Sequence, residues 1–223
     1  MPAATELELR SRAVVAFTLL TGARDGAIAS MKLKHIDLVA CSVHYDAREV
    51  KTKFSKTFVT YFFPVGPESR ETVARWVTYL RDEKHWGNDD PLFPATQMIV
   101  NEAGRYEAAG LKREHWSTAA PVRRIFRDAF SSAGLPYFNP HSLRTTLVRL
   151  GEAVCKTPEE FKAWSQNLGH DGVLTTFYSY GGVGSQRQRE IIQGLAESRH
   201  PVSVDVAAMA KAIARELRSC GPI

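Results

Sequence analysis

At 223 residues, 44% hydrophobic and 24% charged, the chain has the size and composition of one globular domain, or one domain with a small appendage. No apolar run approaches the roughly 20 residues needed to cross a bilayer, and no charged-then-apolar leader opens the chain, which points to a soluble protein of the cytoplasm. The net charge of +5 suits a polyanionic partner, since Lys and Arg that neutralise phosphates release counterions, although many basic proteins never touch nucleic acid. Three scattered cysteines, Cys41, Cys155 and Cys220, form no Cys-x-x-Cys pair, which argues against both a disulfide framework and a thiolate metal site.

In chain order, residues 6–20 carry Leu7, Val14, Val15, Phe17 and Leu20 among polar neighbours, a helical pattern that Thr21-Gly22 ends. A short second helix is expected over 25–31. Residues 36–39, 42–45 and 58–63 are rich in β-branched and aromatic side chains and are separated by charged or turn-forming stretches, so they read as three strands. Helical spacing returns at 71–82 through Val73, Trp76, Val77 and Leu80. Residues 94–119 show little pattern and read as a polar loop.

Pro121 then opens a helix in which Val122, Ile125, Phe126 and Phe130 share a face. Asn139-Pro140 marks a turn before a helix beginning near His141. Pro158-Glu-Glu160 reads as a first helical turn with acidic residues facing the dipole, and that helix runs to about Leu168, where Gly169 stops it. Two further helices are expected at 187–197 and 204–217, the last with Val206, Met209, Ile213 and Leu217 in a stripe. The fold class is therefore α+β: a mostly helical domain with one small antiparallel three-stranded sheet.

Several residues carry chemistry. In His141-Ser-Leu-Arg144 the imidazole and guanidinium stand three apart and project from one helix face. Arg offers a planar fork matched to phosphate oxygens, and His can move a proton. Alone, this pair is no more than an exposed helical pair. Arg24 follows a helix-ending glycine in Thr21-Gly-Ala-Arg24, Lys53 lies in the charged turn Lys51-Thr-Lys-Phe-Ser-Lys56, and His170 closes Leu168-Gly-His170. Tyr180 sits in Thr175-Thr-Phe-Tyr-Ser-Tyr-Gly181. No P-loop, nucleophile elbow or His-Glu-x-x-His zinc motif is present, and His35, His44, His85, His115 and His200 are scattered.

Taken in order, these residues resemble the active-site set of the tyrosine recombinases of the phage-integrase kind. TGARDGAIASMKLKHIDL resembles the family's first arginine box, NPHSLRTT its second, and NLGHDGVLTTFYSYG the segment leading to the nucleophile. The resemblance runs from Thr21 to about Val183. It implies a catalytic domain for site-specific DNA recombination or integration, in which strands are cut and rejoined through a covalent 3′-phosphotyrosine without metal or other cofactor. By the same resemblance Arg24 and Arg144 clamp the phosphate with His141 and His170 as further donors. Tyr180 attacks, His141 accepts its proton and Lys53 protonates the leaving 5′-oxygen. The physical logic agrees, because fixed cationic donors aimed at developing phosphoryl charge are expected to be the largest catalytic contribution.

Two departures stand out. The first box usually carries an acidic residue three after the arginine, where this chain has Ala27, with Asp25 nearby. Tyr178 and Tyr180 lie eight and ten residues after His170, on either side of the position many relatives use. The Gly-Gly-Val after Tyr180 favours Tyr180 as nucleophile and leaves Tyr178 as the alternative. Lys51 and Lys56 stay open beside Lys53.

The resemblance further implies double-stranded attachment-site DNA as partner, a tetramer on DNA, a bacterial or phage-derived mobile element as source, and no membrane. The DNA-binding domain that precedes the catalytic domain in relatives is expected to be missing from residues 1–223. Isolated, the chain is then expected to bind DNA weakly and recombine poorly. Residues 200–223 would form a tail helix that packs on a neighbouring protomer or on its own domain. Two other readings remain: a type IB topoisomerase-like nicking and closing activity, and a non-catalytic integrase remnant that only binds DNA.

Overall fold

The computed structural model describes residues 5–170 and, beyond them, 185–186, 188–190 and 193. Residues 188–190 and 193 are helical, within the helix expected at 187–197. The helix expected at 204–217 and both candidate tyrosines, Tyr178 and Tyr180, lie outside the described residues, as does Cys220. Among the described residues no helix is long and apolar enough to cross a membrane.

Helix α1 (Glu6–Thr21) starts in a capping box: Thr5 Oγ1 accepts from Glu8 N, and the Glu8 carboxylate accepts from Thr5 N. Its inner face buries Ala13, Val14, Phe17 and Leu20 at the centre of the core. Gly22 ends it at φ 61°, a left-handed conformation that costs little only for glycine. Helix α2 (Asp25–Ile28) is a single turn. Strands β1 (Ile36–Asp37), β2 (Ser42–Tyr45) and β3 (Phe58–Tyr61) form the expected antiparallel sheet in the order β1-β2-β3. Val43 pairs with Thr60 and Tyr45 with Phe58, so the alternation along β2 turns Val43 and Tyr45 inward.

Helix α3 (Pro67–Thr78) begins earlier than the apolar spacing suggested, because Pro67 occupies its first turn, and it continues as a π turn over Tyr79–Glu83. The stretch read as a polar loop is instead a hairpin, β4 (Pro94–Val100) and β5 (Tyr106–His115). Register shifts at 94/95 and 97/98 break the alternation that marks a strand, and the outer half of the hairpin is exposed on both faces. Tertiary contacts hold the inner half. Arg10 of α1 donates to Pro94 O at 2.8 Å and to Thr96 Oγ1 at 3.1 Å, with its guanidinium over the Trp116 ring. Glu6 accepts from Leu111 N at 2.7 Å and from the Tyr79 hydroxyl at 2.8 Å. No local sequence pattern encodes those links.

Helices α4 (Ala120–Ser132), α5 (Pro140–Val154) and α6 (Pro158–Asn167) follow. Asn139 caps α5 through Ser142 N, and Thr157 with Glu160 makes a second capping box for α6. The two helices close on each other at Gly151: Trp164 packs there and donates from Nε1 to Leu147 O at 2.9 Å. Helix α6 is tied to β3 as well. Asn167 Oδ1 accepts from Tyr61 N, its Nδ2 donates to Tyr61 O, and Thr60 Oγ1 donates to Asn167 O.

A methyl group at residue 151 would meet the Trp164 indole at 2.6 Å. Alanine is ordinarily the better helix former by about 1 kcal/mol. Here Gly151→Ala is expected to destabilise by about 1–3 kcal/mol, because overpacking forces α5 and α6 apart. The midpoint of urea unfolding at unchanged slope reads this directly.

Candidate active site

The site is assembled by turns and caps. Gly22 reverses the chain after α1, so that Ala23 and Arg24 lead into α2 and Arg24 becomes its N-cap. Asn139 and Pro140 start α5 so that His141 falls in the first turn and Arg144 one turn later. Gly169, at φ 69°, ends α6 and delivers His170.

Arg144 is 5% exposed and lies at the centre. One terminal nitrogen donates to Gly22 O; the other donates to Leu168 O at 2.6 Å and contacts His170 Nε2 at 3.1 Å. That contact makes Nε2 the acceptor and leaves the His170 proton on Nδ1. No carboxylate among the described residues forms an ion pair with Arg144. Burial, and then the neighbouring charge of Arg24, push its guanidinium down to about 10, so it stays charged at neutral pH.

Arg24, half-buried, is also pushed down by burial. It lines two adjoining clefts. The first holds Arg24, Ala27, Tyr45, Lys51, Thr52 and Arg144 among its walls. The second holds Arg24, Asp25, Arg123, Asn139, Pro140 and His141. His141 is exposed, and its imidazole is held below its ordinary range by partial burial first, then by Arg144 and Arg24. Asp25 works against this shift, and Lys53 adds to it.

The structure thus brings Arg24, His141, Arg144 and His170 together. Lys53 is exposed in a short turn, its Nζ 4.8 Å from the Phe54 ring centroid, and reaches the group through its field on His141. Lys51, rather than Lys53, lines the cavity with both arginines. Asp25 does not act as counter-ion to Arg24: its carboxylate accepts from Arg123 Nε at 2.7 Å and from Gly26 N at 2.8 Å. Ala27 is buried in the cavity wall.

Sequence reasoning missed three participants. Tyr45 was legible as a strand residue but not as a neighbour of both guanidiniums; burial pushes its phenol up to about 12, while Arg144 and Arg24 oppose the shift. Thr52 was hidden between the two lysines that drew attention. Arg123 carries no local signal at all, because its partner Asp25 is distant in the chain.

The sequence matches the model of the phage integrase family over residues 1–180. The chain belongs to the phage integrase family. Among solved structures, that of XerA recombinase has a TM-score of 0.54 at 21% identity, covering 87% of this chain and 59% of its own. XerH site-specific recombinase, bound to palindromic difH substrate in a post-cleavage complex, has a TM-score of 0.52 at 18% identity, covering 86% of this chain and 47% of its own. Each likeness is one of fold, and the chain spans less than two thirds of either structure. No curated protein matches the sequence.

Arg144→Lys keeps the charge but removes the planar fork that reaches Gly22 O and Leu168 O together. The variant is expected to lose about 1–3 kcal/mol through a buried carbonyl left unpaired. Equilibrium unfolding at pH 7 measures the loss.

Proposed function

We propose that the chain is the catalytic domain of a tyrosine recombinase, which cuts and rejoins DNA strands through a covalent 3′-phosphotyrosine. The observation that carries this reading is the convergence of Arg24 and Arg144 on one cavity, with His170 bonded to Arg144 and no carboxylate lining the cavity to neutralise them. Such a pair suits an anion whose charge grows on its non-bridging oxygens during displacement at phosphorus.

In this scheme the phosphodiester lies against Arg24 and Arg144, with His141 and His170 as further donors. The Tyr180 oxygen attacks phosphorus, with Tyr178 as the alternative nucleophile. A bond forms from that oxygen to phosphorus, the bond to the 5′-oxygen breaks, and a 3′-phosphotyrosine remains. His141 takes the tyrosine proton, and Lys53 supplies one to the leaving 5′-oxygen. Rejoining runs the same steps backwards, and the phosphotyrosine conserves the bond energy. The partner is duplex DNA carrying a recombination site, within a mobile element, and the working assembly is a tetramer on DNA. The cytoplasm is the compartment where such DNA is met.

The deciding experiment incubates the full chain in EDTA with a random-sequence pool of nicked duplexes and selects SDS-stable adducts. The nick lets a short fragment diffuse away, so the covalent complex persists. An adduct mapped by mass spectrometry to Tyr180 is expected; one on Tyr178 moves the nucleophile and keeps the reaction. DNA retention without any adduct would overturn the reading in favour of a binding remnant.

The pH dependence follows from His141. Because its protonated form is disfavoured in the folded site, it remains a proton acceptor below the ordinary imidazole range. At subsaturating DNA, where the rate reports the free site, adduct formation is therefore expected to hold level as pH falls through about 6.5 and to decline only below that. His141→Asn should lower the rate and abolish that acid limb. A single-turnover pH series on wild type and variant reads both.

A further inference from the structure

Three buried polar atoms at the cavity have no hydrogen-bond partner among the described residues: Tyr45 Oη, Thr52 Oγ1 and Arg144 Nε. Tyr45 is 2% exposed, so bulk water does not satisfy its hydroxyl. Two other hydroxyls come near enough to influence it, those of Thr21 and Thr60, but their protons are directed elsewhere. Thr21 Oγ1 donates to Phe17 O at 2.7 Å and Thr60 Oγ1 to Asn167 O at 2.9 Å. The Tyr45 ring is itself fixed, stacked on Phe58 at 4.5 Å with 4° between the planes.

The charged groups lining this cavity are Arg24, Lys51 and Arg144, all cationic. The nearby acid, Asp25, is engaged by Arg123. Among the lining residues Tyr45 therefore presents a neutral acceptor on a rigid ring, in the same cavity as a donor, Arg144 Nε–H, that has no acceptor. The cavity they line holds about 10 Å³, the room of one water molecule and far less than a phosphate needs. The inner cavity is therefore too small to hold the phosphate itself.

We propose that Tyr45 is a positioning residue for Arg144: its hydroxyl, joined to Arg144 Nε across a cavity that admits one water molecule, fixes the guanidinium plane that receives the phosphate. Tyr45 and Ala27 line the same cavity, and Tyr45 supplies an acceptor there where no carboxylate is present. The inference rests on the proposed phosphoryl-transfer reading and assigns Tyr45 no contact with the reacting atoms.

The test compares the full chain with its Tyr45→Phe variant, which keeps the ring and its stacking. Inorganic phosphate is titrated against each, with the melting temperature as readout, and the variant is expected to bind about tenfold more weakly, as a misaligned clamp does. On a nicked duplex selected from the random pool, the variant should form adduct about tenfold more slowly at saturating DNA, while the dissociation constant for DNA changes by less than about twofold. With a methylphosphonate at the cleaved position, which carries no negative charge, the difference between wild type and variant should shrink. A purely structural tyrosine gives no such dependence on phosphate charge. Equal phosphate affinity in both proteins, or an adduct deficit that is the same on both substrates, would overturn the assignment. Absence of adduct from wild type sinks the cleavage reading instead, and the phosphate titration still decides on Tyr45.

Discussion

Arg144 is a buried cation held by carbonyl oxygens rather than by a carboxylate. This single arrangement joins the end of α1 at Gly22, the end of α6 at Leu168 and the histidine that follows it. A buried charge is costly unless its hydrogen bonds are made, and removal of its partners leaves the cost uncompensated. Carbonyl dipoles satisfy the terminal nitrogens yet leave the positive charge unneutralised. A carboxylate would have lowered the cost and also cancelled the field that an incoming anion needs. The site is therefore stabilised by geometry and remains electrostatically unfilled.

That choice explains why so many contacts away from the site serve to fix backbone oxygens. Gly22 takes a left-handed conformation and lies within reach of Leu147, Leu168 and Arg144, so neither the turn nor the space tolerates a larger residue cheaply. Leu168 is set by the Asn167 clasp on β3 and by the packing of Trp164 on Gly151. Thr60, which anchors Asn167, is paired with Val43 on the strand that carries Tyr45. The small sheet is thus the shared wall against which the arginine, its two carbonyls and the phenol take their places.

Most of this architecture was legible in the sequence where the physics is local. Helix ends were marked by Gly22, Pro121, Asn139-Pro140, Pro158 and Gly169, and the inner faces by apolar spacing. The three short strands were marked by β-branched and aromatic residues between turns. The β4–β5 hairpin was missed because its strands are bulged, half-exposed and held by Arg10 and Glu6 from α1. At the site, Arg24, His141, Arg144 and His170 were nominated by type and order, and the structure brings them together. The lysine was less legible: Lys51, Lys53 and Lys56 share one turn, and sequence could not show that Lys51 faces the cavity while Lys53 extends outward. Ala27 was legible as a departure, but nothing in the sequence showed that it lines one cavity with Tyr45.

The guanidiniums also connect anion binding to proton transfer. His141 is kept neutral in part by the charges of Arg144, Arg24 and Lys53, with Asp25 opposing them. An anion placed against the arginines offsets their field at the imidazole, since the same low-dielectric surroundings transmit both influences. The basicity of His141 then rises as the phosphate arrives. An imidazole that gains basicity only when the anion is present is poorly protonated in the free site and more able to accept a proton once substrate is in place. The carboxylate of Asp25 is held by Arg123 and Gly26 on the His141 side. It can sustain that response without neutralising the inner cavity. The separation of the two clefts, one cationic around Arg144 and one mixed around His141, is what allows a single arginine pair to influence both.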